Sequence, residues 1–172
     1  MGYELFCRPR DAQDLWSVVV DKCAATPFGV EAIEILRIES GLIVTDYDYH
    51  AHERTPFDFS LDRVVALDGA DFNGKDALHK VAASPPRRFK TLALQTDELP
   101  EYGAAVTRDG EPAGTLTSPT KSPRFGQIGI AILESRFAEE GLMLEVAMGE
   151  ATIQAEVEVL PIYDPQKRRP RS

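Results

Sequence analysis

The sequence predicts an α+β protein, in which a helical first half is followed by a small antiparallel β-barrel. Apolar residues recur at helical spacing up to about residue 81, and after residue 86 they alternate with polar residues instead. Between the two patterns stand Pro85 and Pro86, which a helix cannot continue through. We therefore expect one domain over residues 1–82, a barrel over residues 87–165 and a basic tail over residues 166–172.

Composition limits the partners and the compartment. The 172 residues are 43% apolar, enough for a packed core, and the net charge of −9 argues against nucleic acid or an anionic membrane as a partner. The basic tail is interpreted as a solvated terminus rather than as a binding patch. Cys7 and Cys23 lack metal-type spacing, and no leader or membrane-length apolar run is present, so we expect a cytoplasmic protein. A mature mitochondrial protein would have the same features.

The first 28 residues predict a strand and a helix. Residues 3–7 form a short apolar run and are expected to be an edge strand. Pro9 and Asp11 then provide the chemistry of a helix start. The helix that follows is expected to bury one face, which consists of Leu15, Trp16, Val19, Val20 and Cys23.

The rest of the first half predicts two more helices. The second helix opens at Gly29, carries Val30, Ile33 and Leu36 on one face, and stops at Gly41 in the left-handed conformation. A loop, a strand over residues 59–67 and a short helix over residues 71–81 are expected to follow.

The second half predicts the barrel. Strands are expected over residues 89–94, 104–108, 111–117 and 126–133, and Asp109-Gly110 is a hairpin signal between the second and the third. Alternating apolar residues predict two further strands, over residues 142–148 and 153–159. Five or six short strands in about 80 residues favour a closed or nearly closed antiparallel barrel.

Short phrases along the chain resemble one known family. They are Gly2-Tyr3-Glu4 and residues 36–41 (LRIESG), 71–78 (DFNGKDAL), 114–119 (GTLTSP), 127–131 (QIGIA) and 160–165 (LPIYDP). In this order they resemble the folate-binding aminomethyltransferases, which include the glycine-cleavage T-protein and the related halves of sarcosine- and dimethylglycine-oxidising enzymes. The resemblance implies that the first domain is the C-terminal part of a folate-binding α/β domain, with a strand and helices.

The same resemblance implies an activity and a cofactor. The family transfers a one-carbon unit to tetrahydrofolate, either from the glycine-cleavage intermediate or in sarcosine- or dimethylglycine-type demethylation. In the family, the aspartate that orients the folate lies upstream of the Gly-Tyr-Glu phrase. We therefore assign no catalytic residue here, and we expect the chain to be a fragment or an incomplete subunit that is inactive alone.

The resemblance also implies four binding residues. Glu4, next to Tyr3, matches a glutamate that binds the pterin, and a carboxylate suits adjacent N–H donors. Arg63 stands where the family has a tryptophan, and a guanidinium can stack on a ring and pair with a carboxylate. Arg88 lies near a family arginine that reaches toward the folate. The alternative for Glu4 and Arg63 is that both are ordinary surface residues.

A departure from the family appears at Ile33. Glycine-cleavage members have an arginine there that contacts the folate tail, and in this helix the sequence is closer to the sarcosine-oxidising members. Arg37 and Glu39, in the strongest phrase, are expected to be structural.

Two other kinds of site find little support. Asp46, Asp48, His50, His52 and Glu53 lie close together in the sequence, but a metal site needs three or four converging ligands, and we predict none. Ser118 lacks the histidine of a hydrolase triad.

A second reading of the chain is a non-catalytic protein-interaction module. Half of a domain cannot cover its own core, so we expect an exposed apolar surface around Tyr3, Phe6, Trp16 and Ile33. Such a surface would form a homo-oligomer or bind a completing subunit.

Overall fold

The computed structural model describes residues 3–50 and 52–168; Met1, Gly2, Ala51 and the tail residues 169–172 lie outside the described residues. Helix α1 (Ala12–Ser17) follows a 3-10 turn at Pro9–Asp11 and continues as a π-helical turn, Val18–Lys22. Helix α2 (Val30–Glu39) and helix α3 (Lys75–Ala82) are separated by a long loop that contains a 3-10 turn, Asp62–Val64. The predicted left-handed Gly41 after α2 is confirmed, with φ of 67°.

Residues 87–158 form a closed antiparallel barrel of six strands. The strands are β1 (Arg87–Leu94), β2 (Ala105–Arg108), β3 (Glu111–Ser122), β4 (Gly126–Glu134), β5 (Met143–Met148) and β6 (Ala151–Glu158). Their order around the barrel is β1-β4-β3-β2-β5-β6. The α+β class and the antiparallel barrel are therefore confirmed.

Local sequence explains the β2–β3 hairpin. Asp109 and Gly110 have φ values of 51° and 79°, the left-handed pair that a tight two-residue hairpin turn needs. Inside the barrel, alternate residues of the strands pack into one core, which includes Leu92, Leu116, Leu133, Leu144 and Val157. Closure pairs every strand with two neighbours, although β3 beyond Leu116 extends past its pairing with β2.

A second core joins the helical half to the outside of the barrel. Ile128, Ile130 and Ile132 alternate along β4 with residues that point into the barrel, so they point outward. They pack with Phe89 of β1 and Ile38 of α2, and with the partly buried Ile43, Tyr49, Phe59, Leu160 and Ile162. Strand β4 is thus apolar on both faces because the barrel core covers one face and the junction covers the other.

The junction also contains a buried polar network. Asp48 is 4% exposed, and its Oδ2 accepts hydrogen bonds from Arg37 Nη1 at 3.0 Å and from the Val44 amide at 2.8 Å. Its Oδ1 accepts the hydroxyls of Thr117 and Ser118, both at 2.6 Å. All the strong acceptor positions of this carboxylate are therefore used, as a buried charge requires.

A β-bulge in β3 makes that network possible. The register between β3 and β4 shifts between Leu116 and Ser118, so Thr117 is an extra residue in β3. In a bulge, two residues of one strand lie opposite a single residue of the neighbouring strand. Their side chains then no longer point strictly to opposite faces of the sheet. The hydroxyls of Thr117 and Ser118 consequently reach the same carboxylate oxygen, which neighbours in a regular strand would not do.

The predicted strand over residues 3–7 is wrong. The structure has exposed, irregular backbone from Tyr3 to Arg8. A strand is stable only when its amide and carbonyl groups find a neighbour, and none of the described strands pairs with this segment.

The predicted strand over residues 59–67 is also wrong. The chain turns there, with a hydrogen bond from the Ser60 amide to the Phe57 carbonyl at 3.2 Å, and then enters the 3-10 turn. The Phe89 amide donates to the Asp58 carbonyl at 2.8 Å, so the start of β1 holds the turn in place. Phe59 packs on Tyr49 and Phe89 without any strand pairing.

The expected burial of one face of α1 is wrong for the described chain. None of residues 3–36 is buried, and Trp16 is 61% exposed. The reason is that α1 packs mainly on the turns directly before and after it, and these supply no apolar surface large enough to cover it.

Replacement of Gly114 by alanine is expected to lower the free energy of unfolding by about 1–3 kcal/mol. A Cβ at this position would lie 2.1 Å from the carbonyl oxygen of Ile132, a backbone atom of the neighbouring strand that cannot move without breaking the pairing. Urea unfolding measures the change. Gly29→Ala is the control, because its Cβ meets nothing within 4 Å; equal stability of the two variants would contradict the close strand approach.

Replacement of Asp48 by asparagine is expected to lower the free energy of unfolding by about 3–5 kcal/mol, because it leaves the Arg37 guanidinium buried without its charged partner. The side chains of Arg37 and Asp48 are 8% and 0% exposed. Asp46→Asn, in the same loop and with 81% of its side chain exposed, should change stability by less than about 0.5 kcal/mol. Similar urea midpoints for the two variants would mean that the ion pair does not hold the junction.

Candidate functional site

Helix α2 exposes three apolar side chains and buries two charged ones beside the apolar Ile38. Arg37 and Glu39 are 7% and 2% exposed, whereas Val30, Ile33 and Leu36 are 74%, 49% and 51% exposed. We call these three residues the α2 face. A helix on the surface of a globular protein normally has the opposite distribution. The expectation that Arg37 and Glu39 are structural agrees with their contacts, since they bond to the barrel and the adjoining loop.

The contacts of α2 with the barrel fix the direction of the α2 face. Arg37 Nη2 donates to Ser118 Oγ at 2.9 Å, and the Ser122 hydroxyl donates to Glu39 Oε1 at 2.6 Å. The Glu39 carbonyl accepts the amide of Tyr163 at 2.9 Å. Because the last turn of α2 is attached at three points, the row of exposed apolar residues has a defined position relative to β3.

Two of the predicted site residues lie in the exposed N-terminal segment. Tyr3 is 82% exposed, and Glu4 follows it in irregular, exposed backbone. Phe6 and Trp16 are 90% and 61% exposed, so the apolar surface expected around Tyr3, Phe6, Trp16 and Ile33 is present. The Glu4 carboxylate therefore lies on an open surface with large apolar side chains nearby in the sequence.

The other two predicted site residues come together around Asp62. Arg88 Nη1 and Nη2 donate to the two carboxylate oxygens of Asp62 at 2.8 and 3.1 Å. Arg88 Nη1 also donates to the Phe57 carbonyl at 2.8 Å. Arg63 follows Asp62 in the same 3-10 turn and is exposed. Hydrogen bonds from the Arg88 guanidinium hold the pKa of the Asp62 carboxyl below its ordinary value.

A polar groove of ≈ 510 Å³ lies beside Arg88. Its lining contains two cations and three hydroxyl groups: Arg88, Lys90, Ser60, Ser84 and Ser135. The Lys90 ammonium is paired with Glu140 at 2.9 Å. Arg88 is likewise paired with Asp62, and Glu139 adds a negative charge to the lining, so the groove itself is poorly suited to an acidic ligand. The exposed guanidinium of Arg63 is suited to pair with an acidic group.

The sequence did not single out Asp62 or the partners of Asp48. Asp62 has a local signal, because it precedes Arg63 in the phrase that departs from the family pattern. Thr117 and Ser118 stand in the family phrase at residues 114–119, but no local signal connects them with Asp48, because their bonds to it span 69 and 70 residues.

The acidic and histidine-rich loop has no converging ligands. His50 Nδ1 lies 3.6 Å from Asp46 Oδ1 in an exposed pair, whereas Asp48 points into the junction. Over residues 3–50 and 52–168, no group of three or more histidine, cysteine or acidic side chains is arranged to hold a metal ion. Within the same ranges, no helix is long and apolar enough to cross a membrane.

Two family models match the chain, and together they leave only residues 70–86 and the last few residues uncovered. The model of the GCVT N-terminal domain matches residues 1–69. The model of the glycine cleavage T-protein C-terminal barrel domain matches residues 87–164 and so includes all six strands of the barrel.

The chain is also similar to named aminomethyltransferases and to one other protein along almost its whole length. An aminomethyltransferase of Saccharopolyspora erythraea is 36% identical over 94% of this chain and 46% of its own length. A probable aminomethyltransferase of Haloarcula marismortui is 33% identical over 95% of this chain and 45% of its own length. A trimethylamine-oxide aldolase of Ruegeria pomeroyi is 31% identical over 100% of this chain and 23% of its own length. The chain spans about half the length of the aminomethyltransferases that it matches.

The fold is present in a solved structure. The crystal structure of the glycine cleavage system aminomethyltransferase T from Bartonella henselae matches with a TM-score of 0.80 over 90% of this chain and 44% of that chain, at 24% identity. The order of the two family models along the chain and the similarity to aminomethyltransferases over nearly all of it lead to one conclusion. This chain belongs to the aminomethyltransferase family of the glycine cleavage T-protein.

Proposed function

We propose that the chain contributes the barrel and the α2 region of a tetrahydrofolate-dependent aminomethyltransferase. The observation that carries this proposal is the 36% identity to an aminomethyltransferase over 94% of the chain. The geometry is consistent with it, because the buried network holds α2 in a defined position against the barrel and exposes its outer face. The transfer chemistry needs a whole enzyme. This chain spans about half the length of the aminomethyltransferases that it matches.

We propose the oxidised, iminium form of a methylated amine as the one-carbon donor, in preference to the glycine-cleavage intermediate; a separate amine-oxidising enzyme with its electron acceptor would remove the two electrons. Ile33 is 49% exposed and stands where glycine-cleavage members of the family have an arginine, so the chain offers no cation there. One relative, the trimethylamine-oxide aldolase, is named for a methylated amine oxide and aligns with the whole chain. Sarcosine- or dimethylglycine-type demethylation is the corresponding reaction class.

In this proposal Glu4 and Arg63 contact the folate. The Glu4 carboxylate accepts the adjacent N–H groups of the pterin, for which its two oxygens are suited. The exposed Arg63 guanidinium binds the acidic tail. Tetrahydrofolate supplies the acceptor nitrogen, and these residues orient it, so that the amine and the acceptor meet with little loss of entropy in the reaction itself.

The contacts of Arg88 give it a different role from the one expected. Both of its terminal nitrogens bond to Asp62, and one also bonds to the Phe57 carbonyl. We propose that Arg88 acts through Asp62 as a positioning residue, which fixes the 3-10 turn that carries Arg63. Tyr3 lies next to Glu4 and is proposed to flank the pterin with its ring.

A second candidate function is a non-catalytic protein-interaction module. The concentration of exposed apolar side chains on α1, α2 and the N-terminal segment favours it. Tetrahydrofolate binding discriminates between the two functions, because an interaction module has no reason to bind the pterin. Both functions are compatible with the cytoplasm, which we propose as the compartment because Cys7 and Cys23 are exposed free thiols.

The experiment uses a chimera in which this chain replaces the matching part of the Saccharopolyspora erythraea aminomethyltransferase. We expect the chimera to bind tetrahydrofolate and, with an added amine-oxidising enzyme and an electron acceptor that convert the methyl group of sarcosine or dimethylglycine to the iminium level, to transfer that one-carbon unit to tetrahydrofolate with release of the demethylated amine. Calorimetry measures the binding, and formation of methylenetetrahydrofolate measures the transfer. A folded chimera that binds no tetrahydrofolate would overturn the proposal and favour the interaction module.

In that chimera, Glu4→Gln is expected to weaken tetrahydrofolate binding at least tenfold, because the amide replaces one acceptor oxygen by a donor and removes the charge. Calorimetric titration measures the change. Glu98→Gln, an exposed acid in the loop between β1 and β2, is the control and should leave the affinity unchanged. An unchanged affinity for the Glu4 variant would mean that Glu4 is only a surface residue.

Asp62→Asn in the chain itself is expected to lower stability at pH 7 by less than about 1 kcal/mol, since the ion pair is partly exposed. Folding lowers the pKa of Asp62. The stability that its ion pair with Arg88 contributes is therefore present above the unfolded pKa of 3.8, and it is lost as the pH falls through the pKa of Asp62 in the folded protein. Urea unfolding at pH 7, 5 and 3 should show the two proteins converging as the pH falls. A difference in unfolding free energy between the two proteins that grows toward pH 3 would contradict the lowered pKa of Asp62.

A further inference from the structure

We propose that two tyrosines beside the junction of α2 and the barrel form a binding site for a methylated ammonium group, a cationic nitrogen that carries methyl groups. The site is a cavity of ≈ 280 Å³, which Tyr47 and Tyr102 line together with Glu34. The inference goes beyond the proposed function and stands without it, although the amine from which the proposed donor forms carries the same group.

The first argument is the arrangement of the two rings. The ring centroids of Tyr47 and Tyr102 are 6.5 Å apart, and the ring planes meet at 86°. The two residues are 61% and 56% exposed, so a ligand has access to both rings. The face of an aromatic ring attracts a cation, and two perpendicular rings beside one cavity contact a rounded cation from two sides. A flat aromatic ligand would stack on only one of them.

The second argument is that both rings are held in place before a ligand binds. The Tyr102 hydroxyl donates to the Tyr47 carbonyl and so connects the two segments directly. Next to Tyr47, the Asp48 side chain is anchored in the buried network. Next to Tyr102, the Gly103 amide donates to the Leu116 carbonyl of β3 at 2.9 Å. Binding therefore has to order little of the chain, which saves entropy.

The third argument is the charge beside the cavity. Glu34 Oε2 accepts a hydrogen bond from Arg37 Nε at 2.7 Å, and 47% of the Glu34 side chain is exposed. Arg37 is also paired with the buried Asp48 at 3.0 Å, so two carboxylates face one guanidinium. Each nitrogen of that guanidinium already donates to an acceptor within the protein. The remaining negative charge favours a cationic ligand over an acidic one.

The fourth argument is the size and chemistry of the lining. Pockets for drug-sized ligands measure about 300–1,000 Å³, so this cavity suits a small molecule or a single group. Ile38 and Pro119 also line it and offer apolar contacts to methyl groups. An unmethylated ammonium needs hydrogen-bond acceptors on several sides when it leaves water, whereas a methylated nitrogen needs few or none. The lining therefore favours the methylated cation.

The experiment titrates the chain with choline and follows the methyl signal of choline by NMR. Contact with the ring faces should move this signal upfield. Affinity in the millimolar range is expected, because two rings provide fewer contacts than a closed aromatic cage. Two control ligands are the uncharged analogue of choline, in which carbon replaces the nitrogen, and ethanolamine, whose ammonium lacks methyl groups. Each should bind about threefold more weakly than choline, or weaker still.

Substitutions at the rings locate the bound choline. Tyr47→Leu and Tyr102→Leu should each weaken choline binding about threefold or more, because each removes one ring face. Tyr102→Phe should keep the affinity within about twofold, since it retains the ring and loses only the hydrogen bond to the Tyr47 carbonyl. Phe125→Leu is the matched control, because Phe125 is 36% exposed in the β3–β4 turn and does not line the cavity. Unchanged urea midpoints show that the leucine variants remain folded.

Four results would overturn the inference. They are the absence of an upfield shift, equal affinity for the uncharged analogue, equal affinity for ethanolamine, and unchanged affinity in both leucine variants. The second would make the corner an ordinary apolar surface, and the fourth would place the bound choline elsewhere. Choline binding is measured on this chain and one-carbon transfer on the chimera. A chimera that transfers nothing, while this chain still binds choline, therefore removes the proposed function alone.

Discussion

The buried ion pair between Arg37 and Asp48 determines how the helical half sits on the barrel. Two charges taken out of water are tolerated only when their remaining hydrogen-bonding capacity is used. Arg37 Nε bonds to Glu34 at 2.7 Å, and its terminal nitrogens reach Asp48, Ser118 and the Leu42 carbonyl. A rotation of α2 would break several of these bonds at once, so the helix has one favourable orientation. Apolar contacts alone would restrict the orientation less, because they are not directional.

The bulge in β3 is the barrel's contribution to the same constraint. Without the extra residue, Thr117 would point into the barrel or away from Asp48, and one oxygen of the carboxylate would lose a partner. Beyond Leu116, strand β3 has no pairing with β2, and α2 packs there instead. The irregular part of the strand, the unpaired edge and the polar junction therefore occur at one place in the barrel. The fold at this point favours a unique arrangement over maximal apolar burial.

Local patterns in the sequence predicted the barrel well, because alternation and the Asp109-Gly110 turn are properties of neighbouring residues. The strands predicted at residues 3–7 and 59–67 failed because apolar content alone does not provide a neighbouring strand. The burial expected for α1 failed for a similar reason, since none of the described elements covers its apolar face. The phrase around Arg37 and Glu39 was recognised, but its partners Asp48, Ser118 and Ser122 were not, because no periodicity connects residues that lie up to 83 positions apart. At the candidate site, Arg63 and Arg88 were identified separately, and only the fold showed that Asp62 connects them.

The attachment of Tyr163 to the end of α2 has a consequence for biosynthesis. The Tyr163 amide bonds to the Glu39 carbonyl, and Leu160 packs against Gly41. The last turn of α2 therefore obtains its final partner from residues made about 120 positions later. At a translation rate of roughly 5–20 residues per second, this interval is on the order of ten seconds. During that time a nascent chain carries an exposed apolar helix with an unfinished end, which is the kind of segment that chaperones bind.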